Sequence, residues 1–251
     1  IDSITFNSNS VLNTINSYSF QNCTSLSSIT IPSSVTTVGT TPFIGCSSLT
    51  TVVMKSNQFK TMFASVPTIT DITFDYNGIM ESSICENRTS LTTVVIGNQI
   101  TSTGSNAFKN CTGIDSITFN SNSVLNTINS YAFQNCDSLS SITIPSSVTN
   151  IGVSAFEESG LSSIILPDTV TNIGSGVFKN CVSLSNATIS NNITSIRENA
   201  FYGCYNLSSI TIPTSVTSIG SYSFFNCTGI GSITFTPTSN LISIGEKAFQ
   251  N

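Results

Sequence analysis

The chain has 251 residues, 39% of them hydrophobic, so it can bury a sizeable core as a single domain over residues 1–251. Charged residues make up only 8%, and a net charge of −5 argues against nucleic acid as a partner, because phosphate backbones require clustered Lys and Arg. No stretch approaches the roughly 18 consecutive apolar residues of a membrane-spanning helix. The first ten residues lack a signal-peptide pattern and the chain opens and closes within a repeat, so we expect membrane attachment only through segments outside it.

A repeat of about 23 residues organises the whole chain, and an aromatic residue marks the same position in each copy. Ten copies carry Phe at this aromatic slot, and Cys85 takes the slot between Phe63 and Phe108. Successive slots are 20 to 25 residues apart, which is within the range of leucine-rich repeats. In chain order the slots are Phe20, Phe43, Phe63, Cys85, Phe108, Phe133, Phe156, Phe178, Phe201, Phe224 and Phe249.

Each repeat is predicted to contain one short strand. In the segment 207–212 the apolar residues Leu207, Ile210 and Ile212 take positions 1, 4 and 6, and the β-branched ending favours a strand. Pro213 follows where a ladder hydrogen bond would be lost, so the strand should end there. Because one repeat cannot bury a core alone, neighbours must stack. We therefore predict a right-handed repeat solenoid of about eleven rungs, with one long parallel β-sheet and with turns and short helical segments on its other side.

Two positions in the repeat are predicted to need a left-handed backbone. The first directly precedes the corner Cys and holds Asn or Gly in nine of eleven repeats, and these are the residues that most readily accept a positive φ. The second lies four residues before the aromatic slot and holds Gly in six repeats and Asn in two.

The full phrase L-x-x-I-x-I-P-x-x-V-x-x-I-G-x-x-A-F-x-x-C, seen for example from Leu207 to Cys227, resembles the BspA-like class of leucine-rich repeats along essentially the whole chain. The resemblance implies a surface or secreted protein of the kind found in bacteria and parasitic protists. It also implies adhesion to a host cell or to a matrix protein. The segments 1–23 and 114–136 differ only in Ser19 and Ala132, which indicates recent duplication.

The cysteines are predicted to form a buried ladder of free thiols. Seven of the eight occupy one slot of the repeat, and the chain has neither a C-x-x-C pair nor a His to complete a zinc site. Equivalent residues on stacked rungs point the same way, so we expect neither disulfides nor a bound metal. The seven are Cys23, Cys46, Cys111, Cys136, Cys181, Cys204 and Cys227.

Catalysis has little support in the sequence. Without His, neither the commonest general base nor a Ser-His or Cys-His pair can be built. Asp71 and Asp75 fall on one strand face about 13 Å apart, which is too far for a glycosidase pair. No Gly-rich phosphate loop is present. We predict a protein that is not an enzyme and needs no cofactor.

The outward face of the sheet is predicted to be uniform. Strand positions 3 and 5 carry Ser and Thr in most repeats, as in Ser209 and Thr211, and such columns are either a ligand surface or simply soluble residues that favour strands.

The repeat becomes irregular at about 53–88, where spacings shrink and seven of the nineteen charged residues gather. Lys55 and Asp75 take the same slot on adjacent strands, so they should form an ion pair. The stretch is either a degenerate repeat or a partner-contact patch containing Lys55, Asp71, Asp75 and Tyr76.

Two functions fit these observations. The first is a non-enzymatic scaffold for protein binding or adhesion, displayed at the cell surface or outside the cell, with a host or matrix protein as partner. The second is a structural or assembly scaffold in the cytoplasm, where free thiols are usual. The lack of polar end caps also predicts self-association.

Overall fold

The computed structural model describes residues 1–251 as a coil of stacked repeats containing nineteen short strands and one helix. In chain order the elements are β1 (Thr14–Ile15), β2 (Ser28–Ile31), β3 (Thr37–Val38), β4 (Thr51–Met54), α1 (Phe59–Phe63), β5 (Asp71–Phe74), β6 (Gly78–Ile79), β7 (Thr93–Ile96), β8 (Ile100–Ser102), β9 (Ser116–Phe119), β10 (Thr127–Ile128), β11 (Asn150–Ile151), β12 (Ser163–Ile165), β13 (Asn172–Ile173), β14 (Asn186–Thr188), β15 (Ser195–Ile196), β16 (Ser209–Ile212), β17 (Ser218–Ile219), β18 (Ser232–Phe235) and β19 (Ser243–Ile244).

The predicted strand forms the main strand line of the solenoid. Strands β2, β4, β5, β7 and β9 pair in parallel, and β12, β14, β16 and β18 form a second parallel group. The register keeps equivalent residues side by side, so Ile29 pairs with Val52 and Val52 pairs with Ile72. In β2 and β16 the Ser and Thr are exposed and the Ile are buried, as the alternation predicts. The chain is thus a leucine-rich repeat solenoid.

Two details of the prediction were wrong. Most repeats contain two strands, because a short second strand line runs five to six residues before the aromatic slot, as in β10 and β11. The main strand line is also not one long sheet, because it is interrupted between β9 and β12, where residues 139–144 form no strand. Helical structure is limited to α1, which replaces the second strand in the shortest repeat.

The core is one continuous cluster of 64 buried residues, with the aromatic slots stacked through it. Rings of neighbouring slots lie nearly parallel with centroids 5.5 Å apart for Phe108 and Phe133 and 5.4 Å apart for Phe133 and Phe156. The backbone joins the same corners, since Phe108 N–H donates to the Ala132 carbonyl of the next repeat at 2.8 Å. Each repeat is therefore held by both packing and hydrogen bonds to its neighbours.

The slot before the corner Cys has the left-handed backbone that was predicted. Nine of its members have positive φ, including Asn110 at 59° and also Glu158 at 56°. Stacked Asn side chains line this corner, with Asn110 Nδ2 donating to Asn87 Oδ1 and Asn135 Nδ2 donating to Asn110 Oδ1, both at 2.7 Å.

The glycines four residues before the aromatic slot are needed for a different reason from the one predicted. None of the six has a positive φ. A Cβ atom on Gly152 would come within 3.0 Å of the Ser130 backbone in the preceding repeat, and one on Gly174 would meet Val153 in the same way. Glycine at this slot therefore allows adjacent turns of the coil to approach each other closely.

Candidate functional site

A cavity of about 450 Å³ opens on the irregular repeats, beside the ends of β4 and β5. Lys55, Asp75 and Tyr76 all line it, so three of the four residues predicted for the patch lie together. The cavity is mostly polar, and its other lining residues are Ser33, Val35, Thr36, Ser56, Asn57 and Asn77. Strands such as β2 and β16 present only Ser and Thr outward, whereas opposite charges meet here.

The predicted ion pair between Lys55 and Asp75 is confirmed. Thr51 pairs with Asp71 in the ladder, which places Lys55 beside Asp75 one residue beyond the strands. The Lys55 Nζ and Asp75 Oδ2 atoms are 3.8 Å apart, with side chains 49% and 45% exposed. A pair this open adds little to stability, so both charges remain accessible to a partner.

Tyr76 and Asp71 lie in different surroundings from Lys55 and Asp75. Tyr76 is 8% exposed, its ring packs edge-on against Phe74 with centroids 6.3 Å apart, and its hydroxyl is buried without a hydrogen-bond partner. Burial, with smaller contributions from Glu81 and Cys85, raises the pKa of Tyr76, so the phenol stays neutral. Asp71 begins β5, away from the cavity, and its Oδ2 accepts a hydrogen bond from Thr70 Oγ1 at 2.7 Å. The accessible charged groups of the site are therefore Lys55 and Asp75.

The packing beneath the cavity explains how the irregular repeats stay in register. Cys85 occupies the aromatic slot with a smaller side chain, and Phe74 extends from β5 to reach Phe108 with a centroid distance of 6.1 Å. Arg88 occupies the corner Cys slot and donates hydrogen bonds to the Phe63 and Val66 carbonyls. Its Cζ lies 5.0 Å from the centroid of the Phe59 ring. In the irregular stretch, Phe74 and Arg88 thus make contacts that the aromatic and Cys slots make in other repeats.

The cysteine ladder is confirmed as a buried structural feature. All eight cysteines are free thiols, and only Cys23 is partly exposed. In six repeats the Sγ donates to the main-chain carbonyl of the aromatic slot in the preceding repeat, for example from Cys136 to Phe108 at 3.3 Å and from Cys204 to Phe178 at 3.1 Å. Arg88 uses the same acceptor at Phe63, so it takes over the role of the thiol in its repeat.

Burial makes these thiols poor nucleophiles. Loss of solvation raises the pKa of Cys111 to about 12 and that of Cys181 and Cys227 to about 11. Thiolates are the reactive form, so these buried thiols are unreactive near neutral pH. No group of three His, Cys, Asp or Glu side chains is arranged to hold a metal ion.

The corner around the aromatic slot carries a cluster of charged and tyrosine side chains that the sequence analysis missed. Thirteen of the nineteen charged residues and five of the six tyrosines lie within four residues of an aromatic slot. The rings of Tyr202 and Phe225 stack at 5.2 Å, and Lys179 Nζ lies 2.9 Å from Glu157 Oε1. If the charged residues are counted by their position within the repeat, and not by their position along the chain, their concentration at this corner face becomes visible in the sequence.

The fold and these sites together define a non-globular repeat scaffold with side-chain variation at its corners and irregular repeats. A family model for the BspA type leucine rich repeat region matches six copies, over residues 1–115, 78–208 and 149–251. The chain therefore belongs to the BspA-type leucine-rich repeat family.

Solved structures support the fold assignment. A leucine-rich repeat protein from T. pallidum is 24% identical, with a TM-score of 0.56 over 72% of this chain and 77% of that one. A leucine-rich repeat protein from Bacteroides ovatus is 23% identical, with a TM-score of 0.53 over 95% of this chain and 80% of that one. At these identities the likeness concerns the fold alone. A search of curated proteins found no match, and no helix of the structure has the length and hydrophobicity to cross a membrane.

Proposed function

We propose that the protein is a non-enzymatic scaffold that binds a protein partner and serves in adhesion at the cell surface, with Lys55 and Asp75 at a contact point. The observation that supports this most directly is the pair of half-exposed opposite charges at the mouth of the 450 Å³ cavity. Such groups fix the orientation of a partner through complementary charges. Membership of the BspA-type family supports a surface scaffold, and the low charge elsewhere on the main strand line concentrates specificity here.

The test is a binding screen of the purified chain against extracellular matrix proteins and host cell surfaces, followed by variants. Lys55→Ser combined with Asp75→Ser should weaken binding to a partner found in the screen at least tenfold. The matched control is Lys247→Ser with Glu246→Ser, because that pair has a similar separation of 3.9 Å and side chains 47% and 67% exposed. Equal affinity of the two double variants and the parent would refute the role of the patch, and a failed screen would count against adhesion.

An intracellular assembly scaffold is the second candidate, and the free thiols favour it. Secreted proteins usually hold paired cysteines, whereas all eight here are free. Antibody labelling of intact and permeabilised cells that produce the protein separates the two. Labelling of intact cells supports surface display, and labelling only after permeabilisation supports the intracellular role.

A further inference from the structure

The same seven-residue peptide, Leu-Ser-Ser-Ile-Thr-Ile-Pro, occurs three times but does not fold in the same way each time. It forms β2 and β16 in the copies at 26–32 and 207–213, while the copy at 139–145 contains no strand. No backbone hydrogen bond links residues 139–144 to β9 in the preceding repeat. Residues 1–6 and 26–31 likewise share no backbone hydrogen bond. Backbone pairing along the main strand line is therefore missing at two openings, between residues 1–6 and 26–31 and between residues 116–119 and 139–144. The peptide on the downstream side is the same at both openings.

A longer loop precedes each opening. Five residues lie between Phe119 and the next inward residue, Leu125, whereas three lie between Ile212 and Val216. In each long loop a Ser Oγ accepts from the Leu N–H two residues later, at 3.3 Å for Ser10 and Leu12 and at 3.3 Å for Ser123 and Leu125. The chain is back in register after the loop, because β10 pairs with both β8 and β11, so the opening is confined to the main strand line.

Both openings form clefts on the outward face of the coil. The cleft over residues 117–146 has a volume of about 500 Å³ and the one over residues 3–53 about 380 Å³. Neither contains a charged residue. The larger cleft combines the half-buried ring of Phe119 with the side chains of Thr118, Asn120, Asn122 and Thr143, which are not used in hydrogen bonds within the protein. It therefore offers uncharged donors and acceptors around an apolar surface.

An extra peptide strand does not fit into these openings. The rings of Phe108 and Phe133 at the corner of the same two repeats are 5.5 Å apart, which is close to one strand spacing. The second strand line also remains paired there through β10 and β11. A ligand must therefore lie on the outward face and bond through hydroxyl and amide side chains and exposed main-chain groups.

We propose that the two clefts bind a neutral oligosaccharide. Sugar hydroxyls both donate and accept hydrogen bonds, which matches a lining of Ser, Thr and Asn without charge, and the apolar face of a sugar ring matches the exposed part of Phe119 or Phe6. The two clefts lie five repeats apart, or about 24 Å along the coil at one strand spacing per repeat. A repeating polysaccharide binds both clefts at once and gains avidity from the second contact.

The test measures binding of cellohexaose, mannohexaose and chitohexaose by calorimetry, with hexagalacturonate as the charged comparator. At least one neutral hexasaccharide should bind at two sites per chain. Asn120→Ala with Thr143→Ala should reduce this to one site, and a polymer of the same sugar should then lose at least tenfold in affinity. Adding Thr5→Ala with Thr30→Ala should abolish binding.

The control is Asn98→Ala with Thr73→Ala, because Thr73 is an outward Thr on β5, whose ladder is complete on both sides. This variant should keep both sites, and circular dichroism should show all variants folded. The proposal is overturned if no neutral hexasaccharide binds at about 1 mM, if the control loses as much as the cleft variant, or if the peptide Leu-Ser-Ser-Ile-Thr-Ile-Pro binds the clefts in their place.

Discussion

At some positions of this solenoid, the close approach of adjacent turns of the coil determines which residue type fits. Gly152 lies where a Cβ would collide with the backbone of Ser130, and the backbone at both positions is held by neighbouring repeats. Gly176, in contrast, has a φ of 63° and occupies a slot that other repeats fill with non-glycine residues at positive φ, such as Asn106 and Asn199. Two glycines twenty-odd residues apart are thus needed for different reasons.

This contrast yields a first prediction. Gly152→Ala should lower the free energy of unfolding by about 3 kcal/mol, because the added methyl group forces two backbones apart in a packed structure. Gly176→Asn should change it by less than about 1 kcal/mol, since Asn tolerates the left-handed region. Urea unfolding followed by circular dichroism measures both, and equal losses would contradict the close-approach explanation.

The buried thiols predict a dependence of stability on alkaline pH. Their pKa values in the folded chain are raised, to about 12 for Cys111 and about 11 for Cys181 and Cys227, by loss of solvation. The folded state therefore keeps protons that the unfolded state releases above its ordinary thiol pKa of about 8.5, so stability falls as the pH rises from there toward 12.

The measurement is the thermal midpoint between pH 7 and 11, which should decline above about pH 8.5. Cys181→Ala should have a lower midpoint at pH 7 but a shallower decline. Near neutral pH, iodoacetamide should modify Cys23, the partly exposed thiol, before the seven buried ones. Rapid modification of Cys111 in the folded protein would be incompatible with the buried ladder.

The backbone conformation of single residues was predictable where the conformation is compatible with few residue types. Asn before the corner Cys indicated positive φ because few other residues accept it, and the structure agrees. The slot two residues before the aromatic has positive φ in ten repeats, but it holds residues as different as Tyr18, Thr41 and Lys247, so composition gave no signal. There the stacked neighbours, and not the side chain, set the backbone.

At the scale of elements, the strands are determined as much by their neighbours as by their own sequence. The copies of Leu-Ser-Ser-Ile-Thr-Ile-Pro at 139–145 and 207–213 are chemically identical, yet only the second forms a strand, β16, paired with β18 over four residues. Local propensity cannot distinguish the two, so the difference comes from their surroundings, and a longer loop at 120–124 precedes the copy that forms no strand. The prediction of a single unbroken sheet failed for this reason.

These twin peptides permit a direct measurement. Their internal amides have the same intrinsic exchange chemistry, so any difference in hydrogen exchange reports only the surrounding structure. We expect residues 209–212 to be protected at least tenfold more than residues 141–144, because residues 209–212 pair with β18 and, at Ser209, with β14, whereas residues 141–144 form no strand. Deleting Asn122 and Ser123 should restore the ordinary loop length and bring the two peptides to similar protection. Equal protection in the parent chain would show that the ladder is not open.

The candidate site was predictable only in part at this scale. Equal slots on β4 and β5 were enough to predict the ion pair of Lys55 and Asp75, because parallel register keeps equivalent residues adjacent. The burial of Tyr76 was not predictable, since it depends on its packing against Phe74 in a repeat whose aromatic slot holds the smaller Cys85. The corner face likewise becomes visible only when residues from many repeats are superposed.

For the whole molecule, the uniform corner predicts that entire repeats can be removed. Deleting residues 202–224 joins Phe201 to Phe225 and preserves the corner sequence through Asn226 and Cys227. The shortened chain should fold, with its urea m-value reduced by roughly a tenth in proportion to the lost surface. Deleting only residues 202–212 removes half a turn and should prevent folding of the repeats that follow. Circular dichroism and urea titration compare the two, and an unfolded product from the full-repeat deletion would argue against modular stacking.

The corner hydrogen bonds have a mechanical consequence. Phe108 N–H bonds to the Ala132 carbonyl and Phe133 N–H bonds to the Ala155 carbonyl, each at 2.8 Å, and all repeats except those of Phe43 and Phe63 are tied in this way to the one that follows. Under tension applied to its two ends, such a coil yields at a terminal repeat first and then one repeat at a time. Each step releases about 23 residues, or roughly 80 Å of extended chain. The molecule would therefore lengthen stepwise under load, while the repeats that have not yet opened stay folded.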